Sequence, residues 1–221
     1  MSAPAEKTPL RNIAILISGT GSNMQAFIDA CESGELHAQI GIVISNNPEA
    51  AGLQRAAAAG IDTRCINHRD YDSREVFDAA LCSALQELDI DLVILAGFMR
   101  ILTPVFIEPY LGQLLNIHPS LLPKYPGLHT HKRAIDAGDE AGGATVHFVT
   151  PELDSGPAII QARVPIQAGD TAESLAMRVI ALEHKIYPLA AQWFLQGRLQ
   201  LTNRGAELDG EAVPLSGVHY P

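Results

Sequence analysis

Three apolar runs decide the fold class. Asn12-Ile-Ala-Ile-Leu-Ile17, Gln39-Ile-Gly-Ile-Val-Ile44 and Asp91-Leu-Val-Ile-Leu-Ala96 are nearly unbroken stretches of strand-forming residues. A strand that is apolar on both sides must be covered on both faces, and this is the signature of a parallel sheet wrapped by helices. Helical patterns lie between the runs. One helix starts near Asn23, and an Ala-rich one runs through Ala59 to Gly60. A third is capped by Ser73, with Glu75 in its first turn and Phe77, Leu81, Leu85 and Leu88 on one face. A short strand around Thr63 to Ile66 completes the alternation. The pattern predicts an α/β, doubly wound, mostly parallel sheet of Rossmann-like type with helices on both faces, in a single domain.

The second half is less regular. Thr103-Pro104 reads as a helix start, with proline at the first helical position. Leu114-Leu-Asn-Ile-His118 reads as a strand, followed by a loop stiffened by Pro119, Pro123 and Pro126. Two more strands are expected from Ala144 to Val149 and from Ala158 to Val164, joined by the turn-rich Thr150-Pro-Glu-Leu-Asp-Ser-Gly156. A long helix follows Asp170, with Leu175, Val179, Leu182, Ile186, Leu189 and Trp193 as its apolar stripe. Glu183 lies off that stripe and reads as a solvated charge. Asp209-Gly210 predicts a tight hairpin turn. The expected domain covers residues 12–201, with residues 1–11 and 202–221 as tails and hairpin.

Charge and cysteine usage narrow the partners. The formal net charge of −10 disfavours nucleic acid or an anionic membrane, which both call for a broad basic surface. Cys31, Cys65 and Cys82 are odd in number and show no paired or zinc-ligand spacing, so a reducing cytoplasmic location is expected. The polar start of the chain does not read as a secretory signal, and Leu92 to Met99 is too short to span a bilayer. No metal is expected.

Two features carry chemistry. Ser18-Gly-Thr-Gly-Ser-Asn23 sits between the first strand and the first helix, where backbone N–H groups and the positive helix end can receive a phosphate. The third glycine of a dinucleotide loop is replaced by Met24, and Asn46-Asn47 stands where a ribose-binding acid belongs. A single terminal phosphate on a small substrate therefore fits better than a dinucleotide, and a plain tight turn remains the alternative. In Asn116-Ile-His118 the two polar side chains share one face of a strand, at the sheet end where ligands bind. An amide and an imidazole there can grip an oxygen that becomes negative during reaction, and Asp154 is suited to hold His118 charged. By itself a histidine at a strand end such as His118 is more often structural than catalytic. His129 and His131 read as solvated or capping residues, and His147 points either into the site or away from it.

Four strings occur in order: Ile17-Ser-Gly-Thr-Gly-Ser-Asn23, Ala96-Gly-Phe-Met-Arg-Ile-Leu102, Asn116-Ile-His-Pro-Ser-Leu-Leu-Pro123 and Glu152-Leu-Asp-Ser-Gly156. With them the chain resembles the phosphoribosylglycinamide formyltransferases of the folate-dependent formyl-transfer family, from about Asn12 to Leu201. The resemblance implies transfer of a formyl group from 10-formyltetrahydrofolate, as co-substrate, to the amine of 5-phosphoribosylglycinamide in purine synthesis. It implies that Asn116, His118 and Asp154 are catalytic and that Gly21, Ser22, Asn23 and Glu183 hold the ribonucleotide. Arg74, Met99, Arg100, Ile101, Leu102 and Asn116 would bind the folate. Thr20 between the glycines departs from relatives that carry Asn there, a change that a backbone-driven phosphate site should tolerate. On this reading the N-terminal half takes the ribonucleotide phosphate, while the C-terminal half carries the folate site and the catalytic residues. The enzyme would work on small molecules as a monomer or homodimer.

The nearest alternative is a 10-formyltetrahydrofolate hydrolase, which uses water as acceptor and usually carries a further N-terminal regulatory domain. A tRNA formyltransferase would be longer and less acidic. An α/β binding protein with inert polar residues is the reading from a different class, and titration of both substrates without turnover would reveal it.

Overall fold

The computed structural model describes residues 10–221, so residues 1–9 of the expected N-terminal tail lie outside the described residues. In chain order the strands are β1 (Arg11–Ile17), β2 (Ala38–Ser45), β3 (Thr63–Cys65), β4 (Leu92–Leu95), β5 (Leu114–His118), β6 (Ala141–Phe148), β7 (Ala158–Pro165), β8 (Leu199–Thr202), β9 (Gly205–Leu208), β10 (Glu211–Ala212) and β11 (Val218–Tyr220). The helices are α1 (Ser22–Ser33), α2 (Ala51–Ala58), α3 (Arg74–Gln86), α4 (Pro104–Ile107), α5 (Thr130–Asp136) and α6 (Ala172–Leu195).

Eight strands form one sheet in the order β11-β7-β6-β5-β4-β1-β2-β3. All neighbouring pairs are parallel except β5–β6 and β6–β7. The order runs outward from β1 through β2 to β3, then jumps back to β4 and outward through β5. The carboxyl ends of β1 and β4 therefore flank a topological switch point, the place where open α/β sheets bind ligands.

Strand alternation makes two cores. Ile13, Ile15 and Ile17 of β1 pack with Met24 and Phe27 of α1 and with Leu175, Val179 and Tyr187 of α6. Ala14 and Leu16, pointing the other way, pack with Phe77 and Leu81 of α3 and with Phe106 of α4. The sheet is thus covered on both faces, as the apolar strands require.

Three details differ from the sequence reading. First, β6 begins at Ala141 rather than Ala144, because Gly142 and Gly143 have low strand propensity but are held by pairing to Val164 and Arg163. Second, the C-terminal segment is more than a tail. The expected turn at Asp209-Gly210 joins β9 to β10, but β8 adds a third strand and β11 pairs with β7 as an edge of the main sheet. Third, the buried face of α6 is turned away from the expected stripe. It comprises Leu175, Val179, Glu183, Ile186, Tyr187, Ala190 and Ala191, while Leu182, Leu189 and Trp193 are only partly buried. Steps of four residues advance around an α-helix, so a helix pressed along the sheet buries an i, i+4 ridge that a four-and-three stripe leaves. Glu183 lies on that ridge and is buried, which overturns its reading as a solvated charge.

Candidate active site

The glycine loop after β1 enters α1 with Gly21 at the N-cap, in the left-handed conformation at φ 73°. A Cβ there would lie 2.9 Å from Met24 Cε and 3.1 Å from Gly52 Cα, so only glycine lets the turn close against α2. The Gly52 N–H donates to the Gly19 carbonyl at 3.0 Å, a support from α2 that the sequence reading missed. Its signal was a lone glycine in an Ala-rich helix. Met24, in place of a third glycine, is wholly buried in the core.

Asn23 turns inward and its Nδ2 donates to Glu183 Oε2 at 2.7 Å. Both side chains are buried, and Asn23 Oδ1 has no partner. Burial raises the Glu183 pKa, and the Asn23 hydrogen bond opposes the rise. Gly21, Ser22, Asn23 and Glu183 therefore meet at the start of α1. Glu183, on α6, thus brings the C-terminal half to the start of α1.

At the end of β5, His118 is sealed on two sides. Its Nε2 lies 2.9 Å from the Tyr125 carbonyl and its Nδ1 lies 3.4 Å from Asp154 Oδ2. A carbonyl only accepts, so Nε2 carries a proton, while Nδ1 faces the Asp154 carboxylate. Asp154 sits at φ 51° at the tip of the turn after β6 and also accepts the Gly127 N–H at 2.9 Å. The turn comes this close because Gly156 lacks a side chain: a Cβ there would lie 1.8 Å from the Phe148 carbonyl.

His147 points into the site. Its Nδ1 donates to the Phe148 carbonyl at 2.8 Å, which leaves Nε2 to accept from Asn116 Nδ2 at 3.1 Å. Burial lowers the His147 pKa, in keeping with a neutral ring. His131, on α5, is half-buried, and burial and then the charge of His118 lower its pKa. The exposed His129 is the N-cap residue of α5 but makes no side-chain cap. His129 is thus solvated as expected, whereas His131 is not.

A cavity of about 100 Å³ opens beside these groups. It is lined by Arg100, Ile101 and Leu102, by Asn116 and His147, and by the 149–154 turn ending in Asp154. Met99 projects outward, and its N–H donates to Ser18 Oγ at 2.7 Å. The far end of the same loop is tied by Thr103, whose N and Oγ1 donate to the buried Asp78 Oδ2 at 2.6 and 2.7 Å. Arg74 is not at this cavity; it shares a neighbouring recess of about 240 Å³ with His68, Tyr71 and Arg100. Arg100 lines both. Lys124, on the loop after β5, is engaged by Asp139 at 2.8 Å. Among the described residues no group of His, Cys, Asp or Glu is arranged to hold a metal ion, and no helix is long and apolar enough to cross a membrane.

The formyl transferase family model matches residues 11–191. The phosphoribosylglycinamide formyltransferase of Escherichia coli (strain K12) is 52% identical over 206 residues, spanning 93% of this chain and 97% of that protein. The human trifunctional purine biosynthetic protein adenosine-3 is 49% identical over 193 residues, 87% of this chain but 19% of that protein. The solved phosphoribosylglycinamide formyltransferase of Coxiella burnetii superposes with a TM-score of 0.93 at 47% identity, covering 96% of this chain and all of that one. The chain belongs to the formyl transferase family, in its phosphoribosylglycinamide formyltransferase branch.

Proposed function

We propose that this protein transfers the formyl group of 10-formyltetrahydrofolate to the amine of 5-phosphoribosylglycinamide, giving formylglycinamide ribonucleotide and tetrahydrofolate for purine synthesis. The observation that supports this reading is a cavity lined by Asn116, Asp154 and the Arg100–Leu102 segment, with His118 behind it, 3.4 Å from Asp154. The loop N–H groups at Gly21, Ser22 and Asn23 take the substrate phosphate, and Glu183 takes another polar part of the ribonucleotide. The 100–102 segment and Asn116 receive the folate ring system. Arg74 and Arg100 supply positive charge for the anionic donor.

The neutral amine adds to the formyl carbon, and the C=O electron pair moves onto oxygen. Asn116 and the His118 imidazolium stabilise that oxyanion, Asn116 through its amide and His118 through its charge. Collapse restores the carbonyl and breaks the bond to N10. Asp154 keeps His118 charged and passes the amine proton, through a water, to N10. The amine is itself an adequate nucleophile, so no covalent enzyme intermediate is required. Three free thiols suit a reducing cytoplasm, and the protein acts on its small molecules as a monomer or homodimer.

The test follows tetrahydrofolate release from 10-formyltetrahydrofolate with and without the ribonucleotide. Release that depends on the ribonucleotide is the expected result. Release without it makes the protein a hydrolase, and no release under either condition removes the assigned activity.

A further inference from the structure

The Tyr125 carbonyl holds the Nε2 side of His118, at 2.9 Å. That carbonyl sits in an awkward place, because Tyr125 is a bulky L residue at φ 57°, a conformation that costs energy unless its surroundings impose it. The tethers of this loop divide its length between them. Residues near Ser120 and Leu122 are fixed from inside: Thr145 Oγ1 donates to the Ser120 carbonyl at 2.7 Å and accepts the Leu122 N–H at 3.1 Å, and Gln161 Nε2 donates to the Leu122 carbonyl at 2.7 Å. Further along, Ser120 Oγ donates to the Lys124 carbonyl at 2.6 Å, and Asp139 adds a second anchor. Tyr125 Oη donates to Asp139 Oδ2 at 2.9 Å, and Lys124 Nζ bonds Asp139 Oδ1 at 2.8 Å. Arg133 lies 5.0 Å above the Tyr125 ring and donates to the Pro126 carbonyl at 2.6 Å.

We propose that Asp139 is a positioning residue for His118: by clasping Lys124 and Tyr125 it holds the Tyr125 carbonyl on Nε2, keeps a proton there, and turns Nδ1 toward Asp154. Asp139 touches neither the imidazole nor the reacting atoms, and acts only through the loop. The carboxyl of Asp139 is held below the ordinary range by its bonds from Lys124 and Tyr125, so the clasp is ionised at neutral pH. Arg163 and Arg133 are the other charges facing this cluster. Around His118 itself the titratable neighbours are Asp154, His147 and His131. The inference rests on the reading of His118 as a working group in formyl transfer.

The experiment compares wild type, Asp139→Ala and the double variant Lys124→Met/Tyr125→Phe, using steady-state kinetics across pH and ¹⁵N NMR of labelled histidine. A displacement remote from the chemistry can cost about 10²-fold, so kcat should fall by about ten- to a hundredfold in both variants. The KM for the ribonucleotide should not move, since the glycine loop is untouched. With the ring neutral, the His118 signal should change from the Nε2–H form to a tautomer mixture, and the pH profile of kcat should shift with it. A merely structural role would change the melting temperature without those last two readouts. Should Asp139→Ala fail to fold, the double variant carries the test, because it leaves the carboxylate and Arg133 in place. Wild-type kcat with an unchanged pH profile, or a neutral His118 ring that stays wholly in the Nε2–H form, overturns the proposal. Full turnover in His118→Ala overturns instead the catalytic reading of His118, and the NMR result then decides the tautomer clasp on its own.

Discussion

His118 Nδ1 and Asp154 Oδ2 are 3.4 Å apart, and less than a tenth of either side chain is exposed. That separation is long for a charge-assisted hydrogen bond, and such contacts often tighten only once substrate is bound. Asp154→Asn isolates the charge. Asparagine tolerates φ 51° better than most residues, and its Oδ1 can still accept the Gly127 N–H, so the turn should keep its shape. We expect kcat to fall by about 10²–10⁴-fold with ribonucleotide affinity intact. Turnover within a few-fold of wild type would remove Asp154 from the proton path.

Asn116 and His118 share one face of β5 and are expected to divide the oxyanion between them. Losing one such donor typically costs about 2.7–4 kcal/mol, or 10²–10³ in turnover. Asn116→Ala and His118→Ala should each show that loss in kcat, while calorimetric titration with ribonucleotide alone stays near wild type. Equal losses in binding and turnover would mean that these residues hold the ground state rather than the transition state.

His147 gives stability a pH dependence whose sign follows from its burial. Its folded pKa is lowered from 6.5, so on acidification the unfolded chain takes up this proton first. The contribution is full above the ordinary imidazole range and is lost as pH falls through it, at no more than about 1.4 kcal/mol per pH unit for one proton. His131 and His184 shift in the same direction and add to the slope. Thermal melts between pH 8 and pH 5 should therefore show a shallower decline for His147→Gln than for wild type. Parallel curves would mean that His147 titrates as it does in the unfolded chain.

Much of the fold was legible because β1, β2 and β4 are apolar on both faces, and only a covered parallel sheet accommodates that. The Asn116–His118 pairing was legible because strand alternation has a period of two. What could not be read depended on packing between distant elements. Glu183 looked solvated because the apolar stripe of α6 ignores how α1 crosses it and brings Asn23 over the i, i+4 ridge. The commitment of His118 Nε2 to a backbone carbonyl leaves no trace in residue identity, since any residue at position 125 has a carbonyl. The side of β6 that His147 faces was undecided because its register shift at Val146/His147 breaks the simple alternation.

Glu183 should show a trade between stability and binding. Its folded pKa is raised from 4.5 by burial, so as pH rises through that range the unfolded chain ionises first and wild type loses stability. Glu183→Gln keeps an acceptor for Asn23 Nδ2 and removes that loss. Near neutral pH its melting temperature should exceed wild type, by roughly 2–4 °C if about 1 kcal/mol is recovered, and the gap should close below pH 4.5. Ribonucleotide affinity should fall about tenfold or more, as expected for losing a charged hydrogen-bond partner. A stabilised variant with unchanged affinity would separate Glu183 from the ribonucleotide site.

Tyr187 tests the scaffold apart from the chemistry. Wholly buried on α6, it reaches through the sheet face so that its hydroxyl lies 3.0 Å from the Leu95 carbonyl and 2.9 Å from the Leu115 carbonyl. These carbonyls end β4 and precede Asn116 on β5, and the ring packs edge-on against Phe27 of α1 at 5.1 Å. Tyr187→Phe keeps the ring packing but leaves buried carbonyl capacity unmet, at a cost of about 1–3 kcal/mol. At roughly 2–4 °C per kcal/mol for a chain of this size, the melting temperature should drop by several degrees. Because the β4 and β5 ladders keep the backbone of Asn116 in register, kcat should stay within about twofold of wild type. A large loss of kcat at full stability would show instead that the hydroxyl positions the catalytic strand.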